Sequence, residues 1–146
     1  MTEGSLLTSV RVLDLSSGHG AAVGRLLADL GAEVLKIEAP TDTAARLATP
    51  TVAGASISFL LNNANKRCAR LDPARSDDRQ LLIELASTAD IVIDSGNPGN
   101  AKAFGTSLES LAKQFDHLVA VSVSDFGLAG PYSCWRATDA ALYAMS

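Results

Sequence analysis

Residues 10–40 have the pattern of one complete strand, helix, strand unit. The apolar run at 10–15 is typical of a strand that is covered on both faces. Glycines follow this run, and from 23 to 30 apolar residues recur at i, i+3, i+4 and i+7, which predicts an amphipathic helix. Residues 34–37 predict a second strand. Because parallel strands need such a crossover, this stretch predicts a parallel sheet whose first loop opens over a helix N-terminus.

Strands and helices go on alternating along the rest of the chain. Residues 56–63 predict a short helix, Asp72-Pro73 predicts the start of another, and Thr106-Ser-Leu-Glu109 has the form of a capping box. A terminal helix is predicted from about Asp139, and residues 41–55 predict a loop. Short apolar runs predict further strands at 68–71, 89–94 and 118–124. The expected architecture is an α/β fold, a Rossmann-like, doubly wound and mainly parallel sheet with helices on both faces.

Composition narrows the class of protein. The chain has 146 residues, of which 47% are hydrophobic and 19% charged, so we expect one globular domain over residues 1–146. The net charge of −4 disfavours a nucleic-acid-binding surface. There is no apolar run of ~18 residues and no signal-peptide pattern, so we expect a cytoplasmic protein without a membrane partner. Cys68 and Cys134 lack metal-ligand spacing, which predicts reduced thiols, one of them buried in a strand, and no metal.

The first loop is a loose relative of the dinucleotide fingerprint. Gly18, Gly20 and Gly24 follow the first strand, and Glu38 lies at the end of the second, where a carboxylate can bind a ribose. This pattern is compatible with a nicotinamide or flavin site and keeps an NAD(P)-dependent oxidoreductase domain as an alternative function. The glycines equally suit a tight turn with close helix packing, and Glu38 equally suits a solvated strand end. His19 is a candidate base, although a single loop histidine usually has no catalytic role.

Two further loops favour a phosphate-bearing ligand. Lys66 and Arg67 precede a short strand and lie next to Asn63, a grouping that suits a phosphate, although a solvated positive turn has the same appearance. Residues 95–99 add backbone donors at the carboxyl end of a strand, where open α/β sheets bind ligands. We therefore predict that Lys66, Arg67 and the turn at Pro98 face one another in a single crevice. These residues identify no nucleophile.

The motifs also carry a resemblance that extends along the whole chain. They resemble the N-terminal part of family III CoA-transferases, the group that includes carnitine, bile-acid and formyl-CoA transferases and 2-methylacyl-CoA racemases. The matching segments are Val10-Arg-Val-Leu-Asp-Leu15, Leu26-Leu-Ala-Asp-Leu-Gly-Ala-Glu-Val-Leu-Lys-Ile-Glu38, Asn63-x-x-Lys-Arg67 with Leu71-Asp72, Ala89-Asp-Ile-Val-Ile-Asp94, Asn97-Pro-Gly99 and Phe126-Gly-Leu-Ala-Gly-Pro-Tyr132, followed by Asp139 ahead of Ala144-Met-Ser146.

The resemblance implies an activity and a set of binding residues. Such enzymes move CoA from an acyl-CoA to a carboxylic acid through an aspartate that becomes an anhydride and then an aspartyl-CoA thioester, and they form interlocked homodimers. The resemblance implies that the first loop approaches the thioester, through Ser17, Gly18 and His19. The positions implied to line the rest of the CoA are Asn63, Lys66, Arg67, Leu71, Arg75, Ser95, Gly96, Asn97, Pro98, Gly99, Lys102, Phe104 and Arg136.

The chain also departs from the family pattern. Members commonly have Glu-Asn-Phe-Arg-Pro-Gly where this chain has Asp94-Ser-Gly-Asn-Pro-Gly99, an arginine at Ala103, and Gly-Pro-Tyr where the first loop reads Gly20-Ala-Ala. The lost aromatic and guanidinium groups predict weaker stacking and phosphate contacts. Racemases have a histidine where this chain has Thr138, which disfavours racemisation.

The resemblance places the nucleophilic aspartate beyond residue 146, so Asp139 is not expected to fill that role and the chain alone is expected to be inactive. Two origins stay open, a truncated transferase and a non-catalytic, degenerate half of a longer protein. A third alternative for the function is an interaction domain that binds no small molecule.

Overall fold

The computed structural model describes residues 5–145. Within that range, five parallel strands form one sheet in the order β5-β2-β1-β6-β7, and a separate antiparallel hairpin joins β3 to β4. The strands are β1 (Arg11–Asp14), β2 (Glu33–Glu38), β3 (Thr51–Val52), β4 (Ala55–Ser56), β5 (Arg67–Arg70), β6 (Ile91–Ser95) and β7 (Val119–Val123). The predicted parallel sheet is confirmed.

Helices cover both faces of this sheet. Val23 and Leu27 of α1 pack against Val12, Val34 and Ile93 on one face. The opposite face of the sheet packs against α4 and α5 in a second apolar cluster. The α-helices are α1 (Ala21–Asp29), α2 (Thr43–Leu47), α3 (Ile57–Asn63), α4 (Ser76–Ser87), α5 (Leu108–Gln114) and α6 (Asp139–Met145), and short 3₁₀-helices cover Gly18–Gly20, Pro40–Asp42 and Asn100–Phe104. This layering confirms the doubly wound fold.

The direction of winding reverses between β1 and β6. From β1 the chain crosses to β2 and β5 on one side, and then to β6 and β7 on the other. The loops that follow β1 and β6 therefore diverge to opposite faces and leave a crevice between the carboxyl ends of these strands. Open α/β sheets commonly bind ligands at such a topological switch point. None of the described helices has the length and apolar character needed to cross a membrane.

Several local predictions were wrong. The helix α4 begins at Ser76 rather than at Asp72-Pro73, because the Asp72 carboxylate accepts a hydrogen bond from the Ala74 N–H and closes a turn first. The N-cap of α5 is Ser107, whose hydroxyl accepts from the Ser110 N–H, so the capping box proposed at Thr106 does not form. Residues 41–55 contain α2 and most of a hairpin rather than a plain loop.

Neither cysteine is buried in the core. Cys68 lies on β5, which is an edge strand of the sheet, and both Cys68 and Cys134 are exposed free thiols. An edge strand has a neighbour on one side only, so its apolar pattern overstates its burial.

Candidate functional site

A cleft of about 460 Å³ opens at the switch point. We call it the switch-point cleft. It is formed by four segments of chain, namely the first loop (17–20), the turn after β6 (95–98 with Asn100), the end of β7 (123–125) and the segment 133–137. The lining is rich in backbone groups, hydroxyls and amides, with the exposed side chain of Arg136 at its rim. Such a lining suits a long polar ligand.

Hydrogen bonds hold the two principal loops of the cleft together. The Ser17 N–H donates to the Ser95 hydroxyl over 2.7 Å, and the Asn100 side-chain amide donates to the Leu15 carbonyl over 2.8 Å. Gly20 lets the loops approach, because a Cβ there would lie 2.8 Å from the Ser95 Cβ. The first loop and the turn after β6 therefore lie against each other, and Gly20 has a packing role in this contact.

Asp94 orders the turn that follows β6. Its side chain is buried, and its two carboxylate oxygens accept hydrogen bonds from the N–H groups of Ser95, Asn100 and Ala101 at 2.7, 2.8 and 2.9 Å. Gly99 lies directly over this carboxylate, so a larger residue there would collide with it. The buried Asp94 carboxylate therefore fixes the conformation of the turn from the inner side. The outer side of the turn lines the cleft.

Lys66, a predicted phosphate ligand, is buried inside the domain. Its side chain has no exposed surface, and its ammonium group donates to Asp14 Oδ2 and the Ala21 carbonyl, each over 2.7 Å, and to Asn63 Oδ1 over 3.1 Å. Burial lowers the pKa of Lys66, while the adjacent Asp14 carboxylate acts in the opposite direction. Gly24 makes room for this pair, since a Cβ there would lie 2.5 Å from Asp14 Oδ2. Lys66 and Asn63 thus tie β1, α1 and α3 together.

Arg67 points to the other end of the sheet. Its guanidinium pairs with Glu33 over 2.7 Å at the start of β2, where both residues line a separate pocket of about 220 Å³. The prediction that Lys66, Arg67 and the Pro98 turn share one crevice is wrong. Lys66 lies in the turn before β5 and Arg67 is the first residue of that strand, and their side chains reach different partners, Asp14 and Glu33. Only the Pro98 turn lines the switch-point cleft.

Glu38 is neither solvated nor free to bind a ribose. Its two carboxylate oxygens accept from the Arg46 guanidinium over 2.7 Å each, and the Arg46 guanidinium also lies 4.4 Å from the centre of the Phe59 ring. Burial acts to raise the pKa of Glu38, but hydrogen bonds from Arg46 and the Cys68 thiol outweigh it and the pKa is lowered. Desolvation and the nearby Glu38 carboxylate raise the pKa of the Cys68 thiol, so this thiol is not activated.

The other predicted residues lie in four places. A groove of about 700 Å³ lies on the far side of the Pro98 turn and is lined by Gly99 and Lys102 among others. Leu71 and Phe104 are buried in the apolar core, and Arg75 is exposed at the start of α4. Eight predicted residues line the switch-point cleft itself: Ser17, Gly18, His19, Ser95, Gly96, Asn97, Pro98 and Arg136.

Two parts of the cleft were missed in the sequence. One is the end of β7, where Asp125 lies, and the other is Asn100, which reaches back to β1. The first was predictable, because the last parallel strand must end at the same edge as the others. The second was not, because a long-range amide contact leaves no local pattern.

Within residues 5–145, the buried carboxylates near the cleft are already hydrogen-bonded and are not available as nucleophiles. Both oxygens of Asp94 accept backbone hydrogen bonds, and those of Asp14 accept from Ser16 and Lys66. Asp125 is exposed in the cleft, and one of its oxygens accepts from the Ala137 N–H over 2.8 Å, which closes the segment between them.

The chain is similar to known proteins along most of its length. The family model of CoA-transferase family III matches residues 7–146. A Mycobacterium tuberculosis protein named "Probable CoA-transferase Rv1866" is 55% identical over 139 residues, which cover 92% of this chain and 18% of that protein. Another from the same organism, "Probable fatty acyl-CoA transferase Rv3272", is 34% identical over 130 residues, covering 86% of this chain and 33% of that protein.

A solved structure has the same fold. The crystal structure of a CAIB/BAIF family protein from Brucella suis aligns with a TM-score of 0.82 and 30% identity over 94% of this chain and 38% of that one. The chain therefore spans from 18% to 38% of the length of these relatives.

Proposed function

Because the chain belongs to CoA-transferase family III, we propose that it holds the CoA thioester of an acyl-CoA:carboxylate CoA-transferase. The observation that carries the proposal is the switch-point cleft, which continues across the Pro98 turn into the groove at Lys102. CoA is long, with phosphates and an adenosine at one end and a thiol at the other, so it needs an extended site with donors along its length.

In the proposed pose, CoA lies across the turn 95–99. Lys102 and Arg136 are exposed cations on either side of this turn, and neither makes an ion pair within residues 5–145. They supply positive charge for the phosphates. The thiol end lies at Ser17 and Gly18, above the start of α1, as the family resemblance implies. Lys66 and Arg67 have structural partners and no direct role in this pose.

The chemistry that we propose for the whole enzyme uses an aspartate outside these residues. Its carboxylate attacks the thioester carbonyl, CoA leaves as the thiolate, and an enzyme-bound anhydride forms. The thiolate then attacks the enzyme's own acyl carbon, which releases the donor acid and leaves an aspartyl-CoA thioester for the acceptor acid to attack. In this scheme the described residues bind and orient CoA, and they do not react with it.

Calorimetric titration of the 146-residue chain with CoA tests the binding proposal. We expect saturable CoA binding and no NADH binding. Arg136→Ala should weaken CoA about tenfold, or ~1.4 kcal/mol, whereas Arg67→Ala, a matched loss of an exposed arginine at the other end of the sheet, should leave it unchanged. NADH binding, or equal losses in the two variants, would contradict the proposal.

A turnover assay tests where the nucleophile lies. The chain, mixed with an acyl-CoA and a carboxylate acceptor, should produce no new thioester. If transfer occurs and Asp125→Asn abolishes it, then the nucleophile is the carboxylate already present in the cleft, and the proposed mechanism is wrong.

A further inference from the structure

The segment between β7 and α6 borders the switch-point cleft without forming a helix or a strand. We call residues 126–137 the strap. Every residue from 127 to 136 except Ser133 is exposed. Gly127 and Gly130 have φ values of +84° and +98°, a region that glycine adopts without strain. An exposed segment with two such glycines has little stiffness of its own, so it needs specific contacts to keep one position.

The Asn97 side chain fastens the middle of the strap to the turn 95–99. Its Nδ2 atom donates to the Ser133 carbonyl over 3.1 Å and to the Leu128 carbonyl over 3.4 Å. The NH₂ group of an amide carries two donors, and both partners are carbonyl oxygens, which only accept, so the nitrogen of Asn97 faces the strap. The donors of Asn97 are therefore engaged with the protein, and a ligand in the cleft would have to compete for them.

Arg136 lies between two fixed points of the strap. On one side is Ser133, whose carbonyl Asn97 holds. On the other side is Ala137, whose N–H donates to Asp125 Oδ2 over 2.8 Å. The place of the Arg136 backbone at the rim of the cleft is thus set by contacts on both sides of it, one of which depends on the Asn97 amide.

We propose that Asn97 is a positioning residue for CoA, which holds the strap against the turn 95–99 and so keeps Arg136 at the rim of the switch-point cleft. This inference rests on the proposed function, in which Arg136 supplies positive charge for the phosphates. An arginine on an untethered strap could still reach a phosphate, but the strap would then lose conformational freedom on binding, and this loss weakens the affinity. The tether at Asn97 orders the strap before the ligand arrives.

Calorimetric titration with CoA of the unchanged 146-residue chain, Asn97→Ala, Arg136→Ala and the double variant tests the inference. We expect Asn97→Ala to weaken CoA about fivefold in the unchanged background. In the Arg136→Ala background it should have no further effect, because no cation is left to position. Asn65→Gly is the matched control and should leave the affinity unchanged. It removes a side-chain amide that donates to Asp29 over 2.6 Å outside the cleft, at a positive φ that suits glycine.

Trp135, the only tryptophan of the chain, reports on the strap without any ligand. Its ring packs edge-on against that of Tyr132, with the ring centroids 4.9 Å apart, and its N–H donates to the Tyr132 carbonyl over 2.9 Å. Trp135 therefore moves with the part of the strap that Asn97 holds. The fluorescence anisotropy of Trp135 should fall in Asn97→Ala and stay the same in Asn65→Gly.

Three results would overturn the inference and leave the CoA site standing. Equal losses of CoA affinity for Asn97→Ala in the two backgrounds would mean that Asn97 contacts CoA directly. An unchanged anisotropy in Asn97→Ala would mean that Asn97 does not hold the strap, and an unchanged CoA affinity would mean that the tether does not matter for binding. If the unchanged chain fails to bind CoA, the proposed function fails, and the role of Asn97 in binding fails with it.

Discussion

Asp14 and Asp94 lie at the carboxyl ends of neighbouring parallel strands and are both buried, with 0% and 2% of their surface exposed. Asp14 is stabilised by a cation from a distant part of the chain, since it pairs with Lys66 over 2.7 Å. Asp94 has no such cation and is held by the N–H groups of the turn that follows it. Both aspartates thus accept hydrogen bonds from backbone N–H groups that follow them, but Asp14 also depends on a cation from a distant part of the chain.

The two aspartates have different roles in the layout of the site. The Asp14–Lys66 pair fastens α1 and α3 to the sheet and keeps its charges inside the domain. The carboxylate of Asp94 shapes the turn 95–99 from below and leaves the outer face of that turn to the cleft. One aspartate therefore fixes helices to the sheet, and the other fixes the turn that lines the switch-point cleft.

The largest expected effect comes from removing the carboxylate of Asp14. Asp14→Ala leaves the Lys66 ammonium buried without its partner, and we expect a loss of ~3–5 kcal/mol in the free energy of unfolding. Urea denaturation measures this. The double variant Asp14→Ala/Lys66→Met should recover much of the loss, because no unpaired charge is left. If the stability losses of Asp14→Ala and Lys66→Met simply added in the double variant, the two side chains would not be coupled.

Asp94→Asn should lower the free energy of unfolding by a smaller amount, ~1–3 kcal/mol. The amide keeps one acceptor oxygen, but its NH₂ group faces an N–H that then has no partner. The stability should fall by the same amount in a Lys66→Met background, to within ~0.5 kcal/mol. Strong coupling between Asp94 and Lys66 would remove the distinction between the two aspartates.

The effect of Gly24→Ala on the free energy of unfolding should depend on whether the Asp14 carboxylate is present. In the intact chain Gly24→Ala crowds the Asp14–Lys66 pair, and we expect a loss of about 1–2 kcal/mol despite the better helix propensity of alanine. In an Asp14→Ala background the same change should be neutral or stabilising, because the crowded oxygen is gone. Denaturation curves of the four variants provide the test, and the same loss in both backgrounds would rule out this role for Gly24.

Glu38, at the end of β2, extends the comparison to a carboxylate with a half-exposed partner. Its lowered pKa means that its interactions stabilise the fold above the ordinary pKa of about 4.3 and that this stabilisation is lost as the pH falls through the lowered value. The stability advantage of the unchanged chain over Glu38→Gln should therefore shrink between pH 7 and pH 3. We expect this stability advantage to shrink by about 1 kcal/mol or less, because the Arg46 side chain is 42% exposed. An advantage that grows in acid would contradict the assignment.

Local patterns in the sequence predicted the scaffold well. The apolar strand runs and the helical spacing at 23–30 are set by burial on two faces, and the parallel sheet, α1 and the first loop were confirmed. The turn at 95–99 was also predictable, because its glycines, proline and asparagines follow directly after a strand.

The sequence could not show which cations are free to bind a ligand. Lys66 and Arg67 are neighbours with the same charge, but one is buried against Asp14 and the other pairs with Glu33, and these partners lie far away along the chain. In the sequence, Gly24 resembles part of a dinucleotide-binding loop. Its role of making space for the Asp14–Lys66 pair could not be predicted, because that pair forms only in the folded chain.

The proposed function requires CoA to bind at the edge of the sheet where the strands have their carboxyl ends. Backbone amide chemical shifts, followed by NMR as CoA is added to the 146-residue chain, measure this directly. The largest changes should occur in residues 17–20 and 95–99, with little change at Glu33 and Arg67. Changes concentrated at Glu33 and Arg67, or none in the two cleft segments, would contradict the account.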